Sequence, residues 1–157
     1  MIKHCFIVTS AVNSKFGVYS PDERMSQTLA TLSSIRSRVP DSKIIVMECA
    51  GTSLTQEQSD ILENNCDLLL DFSNDPDVRE IYQSDNWDVV KNTTEIMCFG
   101  RTLRMCLSDG DFNDCDRIHK MSGRYLLTDD FNLKSYEDNA DRIIIGQKHG
   151  GNWNLSI

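Results

Sequence analysis

No stretch of these 157 residues is apolar for anything like the ~20 positions that a membrane-spanning helix needs. Basic side chains are also scarce, with 16 Lys and Arg against 24 Asp and Glu and a net charge of −8. That balance excludes a general nucleic-acid binder, whose surface must carry a basic stripe to neutralise phosphates. It does not exclude a small anion as ligand, because local charge decides that. The six cysteines include no C-x-x-C pair and no Cys/His cluster with zinc spacing. They read as reduced, small apolar residues, which suits a cytoplasmic protein. Neither a Gly-x-Gly-x-x-Gly after the first strand nor a Walker-type loop is present, so two common phosphate-binding signatures are missing. The opening Met1 to Val8 is too short for a signal peptide and reads as a core strand. The length predicts a single domain over residues 1–157 with a hydrophobic core of its own.

What is present alternates strand with helix. His4 to Thr9 is an apolar first strand. Ser20-Pro21-Asp22-Glu23 combines a cap, a first-turn proline and a glutamate three residues after the cap, which predicts a helix start. Met25, Leu29, Leu32, Ile35 and Val39 then follow at helical spacing up to Pro40. Lys43 to Cys49 is a second strand, Thr55 with Gln58 opens a second helix, and Cys66 to Phe72 is a third strand. After a polar stretch containing Pro76, a long helix is expected from Trp87 to Leu107, buried along Val89, Ile96, Phe99, Leu103 and Cys106. An acidic loop from Ser108 to Asp116 leads to a strand through Lys120, and Asp141 to Gly146 reads as a last strand. The tail from His149 to Asn154 has no periodicity. The order predicts an α/β fold, a mostly parallel twisted sheet with helices on both faces. Ligands of such sheets lie outside the carboxyl ends of the strands. That rule nominates Ser10 to Lys15, Glu48 to Ser53, Asp71 to Asn74 and Ser122 to Tyr125, together with Arg24 at the start of the first helix.

The strongest local mismatch lies in Arg117-Ile118-His119-Lys120-Met121-Ser122-Gly123-Arg124-Tyr125. A strand covered on both faces should be a continuous apolar run. This one carries His119 and Lys120 and ends at a glycine between Ser and Arg, with no acidic residue from 117 to 128. A ligand phosphate is one candidate for the missing anion. The other is a structural role, with Lys120 and Arg124 exposed at an edge strand or paired with Asp129 and Asp130.

Three pieces resemble glycosyltransferases with the nucleotide-diphospho-sugar fold called GT-A. Thr9-Ser10-Ala11, then Glu23-Arg24-x-x-Gln27-Thr28-Leu29, then Pro40-Asp41-Ser42-Lys43-Ile44 and Glu48, is similar to their opening βαβ unit. Lys91-Asn92-Thr93-Thr94-Glu95 resembles their Lys-x-x-x-Glu helix start near the diphosphate. Ile118 to Leu126 resembles a Lys-x-Ser-Gly-Arg-Tyr signature of bacterial and phage sugar-transferase-like proteins.

The resemblance implies transfer of a sugar from a nucleoside diphosphate sugar to an acceptor hydroxyl. Thr9, Ser10, Ala11, Arg24, Glu48 and Lys91 would hold the nucleotide, while Lys120 and Arg124 would act on the departing diphosphate. It also implies the usual Asp-x-Asp metal site, but the sequence departs from it. Ser122-Gly123-Arg124 stands where the acids belong, and Asp109, Asp111, Asp114 and Asp116 precede the strand. Arginine can supply the counter-charge with bidentate geometry. The expectation is therefore a site without a metal, with Mn or Mg as the alternative. Roughly 30 residues follow Tyr125, where an acceptor-binding half would take ~100. A non-catalytic module that binds a sugar nucleotide is the rival reading. The simpler roles are an Arg24 bridge to Asp22, and a plain Lys91–Glu95 surface pair at i,i+4.

Overall fold

The computed structural model describes residues 2–139, 145–149 and 152–156. In chain order it contains β1 (His4–Ser10), α1 (Pro21–Arg38), β2 (Lys43–Glu48), α2 (Gln56–Glu63), β3 (Leu68–Asp71), α3 (Pro76–Ile81), α4 (Trp87–Asp109), β4 (Arg117–Ser122), α5 (Leu133–Glu137), β5 (Ile145–His149) and β6 (Asn152–Ser156).

β1 to β4 form one sheet in the order β3-β2-β1-β4, and every pairing is parallel. Side chains alternate across a strand, so β1 feeds two cores. Cys5 and Ile7 join Ile45, Met47, Val78 of α3, and Cys98 and Cys106 of α4. Phe6 and Val8 join Ile44, Val46, the Met25, Leu32 and Ile35 stripe of α1, and Leu62 of α2. Helices therefore cover both faces, as expected. No helix among the described residues is long and apolar enough to cross a membrane.

The cap signals work as read. Ser20 Oγ accepts from the Glu23 N–H at 3.3 Å while Glu23 Oε2 accepts from the Ser20 N–H at 2.7 Å. Removing that reciprocal pair with Ser20→Ala should lower stability by about 1 kcal/mol. Chemical denaturation would show it as a lower midpoint at unchanged slope. The same box recurs with Thr55 and Gln58 at α2, and Asn86 caps α4 through the N–H groups of Asp88 and Val89.

The long helix turns a different face inward from the one its hydrophobicity suggests. Val90, Thr94, Cys98, Thr102 and Cys106 are buried, whereas Ile96 and Leu107 are 73% and 67% exposed and Val89 is exposed too. Only Cys106 of the expected stripe is fully buried, while Phe99 and Leu103 pack at the margin of that core. The buried row is made of threonine, cysteine and valine, side chains short enough to let the helix axis lie close to the sheet.

Two short helices were not expected, α3 behind an Asp75 cap and α5 behind Asn132. β3 is shorter than the expected strand. The expected strand from Asp141 falls mostly outside the described residues. Where an irregular tail was expected, β5 and β6 form an antiparallel pair.

Candidate functional site

The chain leaves β1 toward β2 on one side, and β4 lies on the other. This reversal of strand order opens a crevice at the carboxyl ends of β1 and β4, the position where open α/β sheets hold their ligands. A cleft of about 230 Å³ occupies it, lined by the ends of both strands, the start of α1 and the first turns of α4.

Six of the eight expected site residues line this cleft: Thr9, Ser10, Ala11, Arg24, Lys91 and Arg124. Gly123 explains how Arg124 reaches it. The Gly123 N–H donates to Thr9 O at 2.8 Å, and a Cβ there would lie 2.8 Å from that oxygen and 3.0 Å from Thr28 Oγ1. Only a residue without a side chain lets the end of β4 close against β1 and α1, which delivers the next residue to the cleft.

Arg24 holds the loop that follows β1. Its Nη2 donates to Phe16 O at 2.8 Å and its Nε to Tyr19 O at 3.2 Å. The loop turns at Gly17, where φ is +110° and a Cβ would collide with the Arg24 guanidinium. On the far side Lys15 Nζ ties the same loop to Tyr82 O, Ser84 O and Asp85. The bridge from Arg24 to Asp22 does not form among the described contacts.

The two remaining residues, Glu48 and Lys120, are not among those that line the cleft. Glu48 is fully buried, with Oε1 accepting from the Ala50 N–H at 3.0 Å and both oxygens 3.2 Å from the Val12 N–H. Burial raises its carboxyl above the usual carboxylate range, and those N–H groups partly oppose the rise. Its work is to fasten the turn after β1 to the turn after β2.

Lys120 does not lack an anion. Its partner is Glu95, which arrives from α4 and so was invisible to a reading confined to neighbouring positions. Glu95 also accepts from Thr9 Oγ1 at 3.4 Å. The expected Lys91–Glu95 pair is replaced by this one. Asp129 is taken by Arg38.

Charge in the cleft is consequently uneven. Arg24, Lys91 and Arg124 all line it, and none has a carboxylate partner among the described residues. The first turn of α4 adds the partial positive charge of a helix N-terminus. Glu95 is the single acid of the lining among the described residues.

Trp87, which the sequence offers either as a stacking surface for a base or sugar or as a simple packing residue, lines the cleft, and Tyr82 is a lining residue that sequence reasoning missed. Tyr82 is held by Gly51, where a Cβ would lie 2.3 Å from the ring. A tight Gly–aromatic contact between two loops leaves no local sequence signal.

The residues present do not fit a metal of the Asp-x-Asp type. The one acid of the lining already carries Lys120. Asp111 pairs with Lys43 at 2.5 Å, and Asp114 and Asp116 bind Lys3, all at the opposite end of the sheet. Among the described residues no group of three or more His, Cys, Asp or Glu side chains has metal-binding proximity. Set against family models, curated proteins and solved structures, the chain matches none.

Proposed function

We propose that this cleft binds a nucleoside diphosphate sugar and that the chain is a GT-A-like glycosyltransferase acting on an acceptor hydroxyl. The observation that carries this reading is the convergence of three cations without acidic partners at the switch point of a chain with net charge −8. Elsewhere most of its described lysines and arginines are paired with carboxylates. In a transfer step the bond from the anomeric carbon to the diphosphate oxygen breaks, a bond to the acceptor oxygen forms, and the proton of the acceptor hydroxyl passes to water or to the departing diphosphate. Arg124 and Lys91 would stabilise the charge that develops on the departing diphosphate, usually the largest contribution an enzyme makes to such a step. Lys120, held by Glu95, is one step removed from that role.

A second reading, a module that binds the sugar nucleotide without turning it over, is favoured by one feature. Among the described residues the only acid of the cleft is engaged by a lysine, so none of them offers an unpaired carboxylate there as a base.

A thermal-shift series with pyrophosphate, nucleoside diphosphates and their sugar conjugates, with and without chelator, tests the proposal. Ligand at ~100 times its Kd should stabilise the protein by about 2.7 kcal/mol. Arg124→Ala or Lys91→Ala should each weaken binding by about tenfold or more, since a charge-assisted hydrogen bond is lost. No stabilisation by any diphosphate would sink the reading. Stabilisation without sugar release or transfer would select the binding module.

A further inference from the structure

One helix face orders three kinds of chemistry along the cleft. Trp87, Lys91 and Glu95 succeed one another at four-residue intervals on α4, about 6 Å apart along its axis. Trp87 is largely exposed at the helix start, whereas the Glu95 side chain is 26% exposed. A carboxylate is the wrong group to meet a phosphate, yet this one stands one turn from Lys91 in a cleft whose other charged lining residues, Arg24, Lys91 and Arg124, are all cations.

Its two oxygens are not equivalent. Lys120 Nζ and Thr9 Oγ1 both bind Oε1. Oε2 has no protein partner among the described residues. Contacts from β1 and β4 thus hold one oxygen of the carboxylate and leave the other as an acceptor for a ligand. An ionised carboxylate only accepts hydrogen bonds. The complementary ligand group is a donor without negative charge.

Resting on the nucleotide-sugar reading of the same cleft, the geometry points to Glu95 as the residue that binds a hydroxyl of the glycosyl group, with Lys120 and Thr9 as its positioning residues. Glu95 thereby distinguishes a sugar-bearing diphosphate from a bare one. The two halves of the ligand respond to it with opposite sign: the hydroxyl is attracted, while the phosphates are repelled across one helical turn.

The test compares pyrophosphate, UDP, GDP and their glucose and mannose conjugates by calorimetry on wild type, Glu95→Gln and Glu95→Ala. In both variants the preferred conjugate should lose about tenfold or more in affinity, the value of a hydrogen bond to a charged group. Pyrophosphate and the free nucleoside diphosphate should bind as tightly as before or tighter. Lys120→Met, which leaves the Glu95 carboxylate intact but unanchored, should weaken only the conjugate. A parallel loss for bare and conjugated diphosphates would overturn the inference, since a cation held by Glu95 would produce it. Unchanged affinity for every conjugate would overturn it as well. Diphosphates that bind wild type but ignore Glu95 leave the nucleotide reading standing, whereas no binding by wild type removes both. Circular dichroism of Glu95→Gln, the near-isosteric variant, establishes that the comparison is made on folded protein.

Discussion

Gly123→Ala should destabilise the protein by about 1–3 kcal/mol, the usual cost of forcing a methyl group into a filled space. The new Cβ would sit 2.8 Å from Thr9 O and 3.0 Å from Thr28 Oγ1, and the first of these is backbone that cannot rotate away. The end of β4 must then move off β1, stretching the 2.8 Å hydrogen bond from Gly123 N–H to Thr9 O. Arg124 moves with it, so the diphosphate response should fall further than stability alone requires. Gly100→Ala is the matched control. It lies inside α4 with nothing within 4 Å of its new Cβ, and should stabilise by about 0.5–1 kcal/mol through helix propensity. Urea titrations of both variants read the two signs directly. Equal stability of Gly123→Ala and wild type would show that β4 does not close on β1 and α1 as described.

That contrast marks where the sequence was legible. Strands whose burial is two-sided, such as Ile44 to Met47, declare themselves as unbroken apolar runs, and capping boxes declare helix starts by three or four adjacent residues. The parallel α/β sheet and the carboxyl-end location of the cleft are consequences of such local signals. What local signals cannot carry is the identity of a partner. Lys120 read as a cation without an anion because its glutamate lies 25 positions earlier, on a helix. Glu48 read as a site acid because a strand-exit carboxylate looks idle until the Val12 and Ala50 N–H groups fold over it. The face of α4 failed for a different reason. Hydrophobicity ranks isoleucine above threonine, but a helix that must pack close to a sheet selects small side chains, and Ile96 was turned outward.

Acidification should weaken the fold through His119, and the sign is set by its surroundings. His119 lies on β4 with its ring stacked on Phe6 at 4.5 Å, against Tyr136 at 5.1 Å and near Phe131 at 6.4 Å. Its Nε2 shares a 2.9 Å hydrogen bond with His4 Nδ1, whose other nitrogen lies 3.4 Å from Glu137. Burial, then the nearby charges of His4 and Arg117, push its pKa down from 6.5 to about 3. The folded protein therefore refuses a proton that the unfolded chain accepts. Stability is fully present above about pH 6.5 and falls as pH drops toward 3, by about 1.4 kcal/mol for each unit at the full slope. Glu48 works the other way. Its carboxyl is raised in the folded state, so acid protonates the native form first and relieves the buried charge. The pH profile of wild type alone mixes these opposing contributions. Subtracting the profile of His119→Gln, which carries no charge at any pH, isolates the histidine. The difference should be flat above pH 7 and grow steadily between about pH 6 and 4. A difference that stays constant with pH would mean that His119 titrates alike in folded and unfolded chains. The same seam of β1 and β4 ends at Thr9 and Gly123, so diphosphate binding should be lost in step with this transition and persist to lower pH in the glutamine variant.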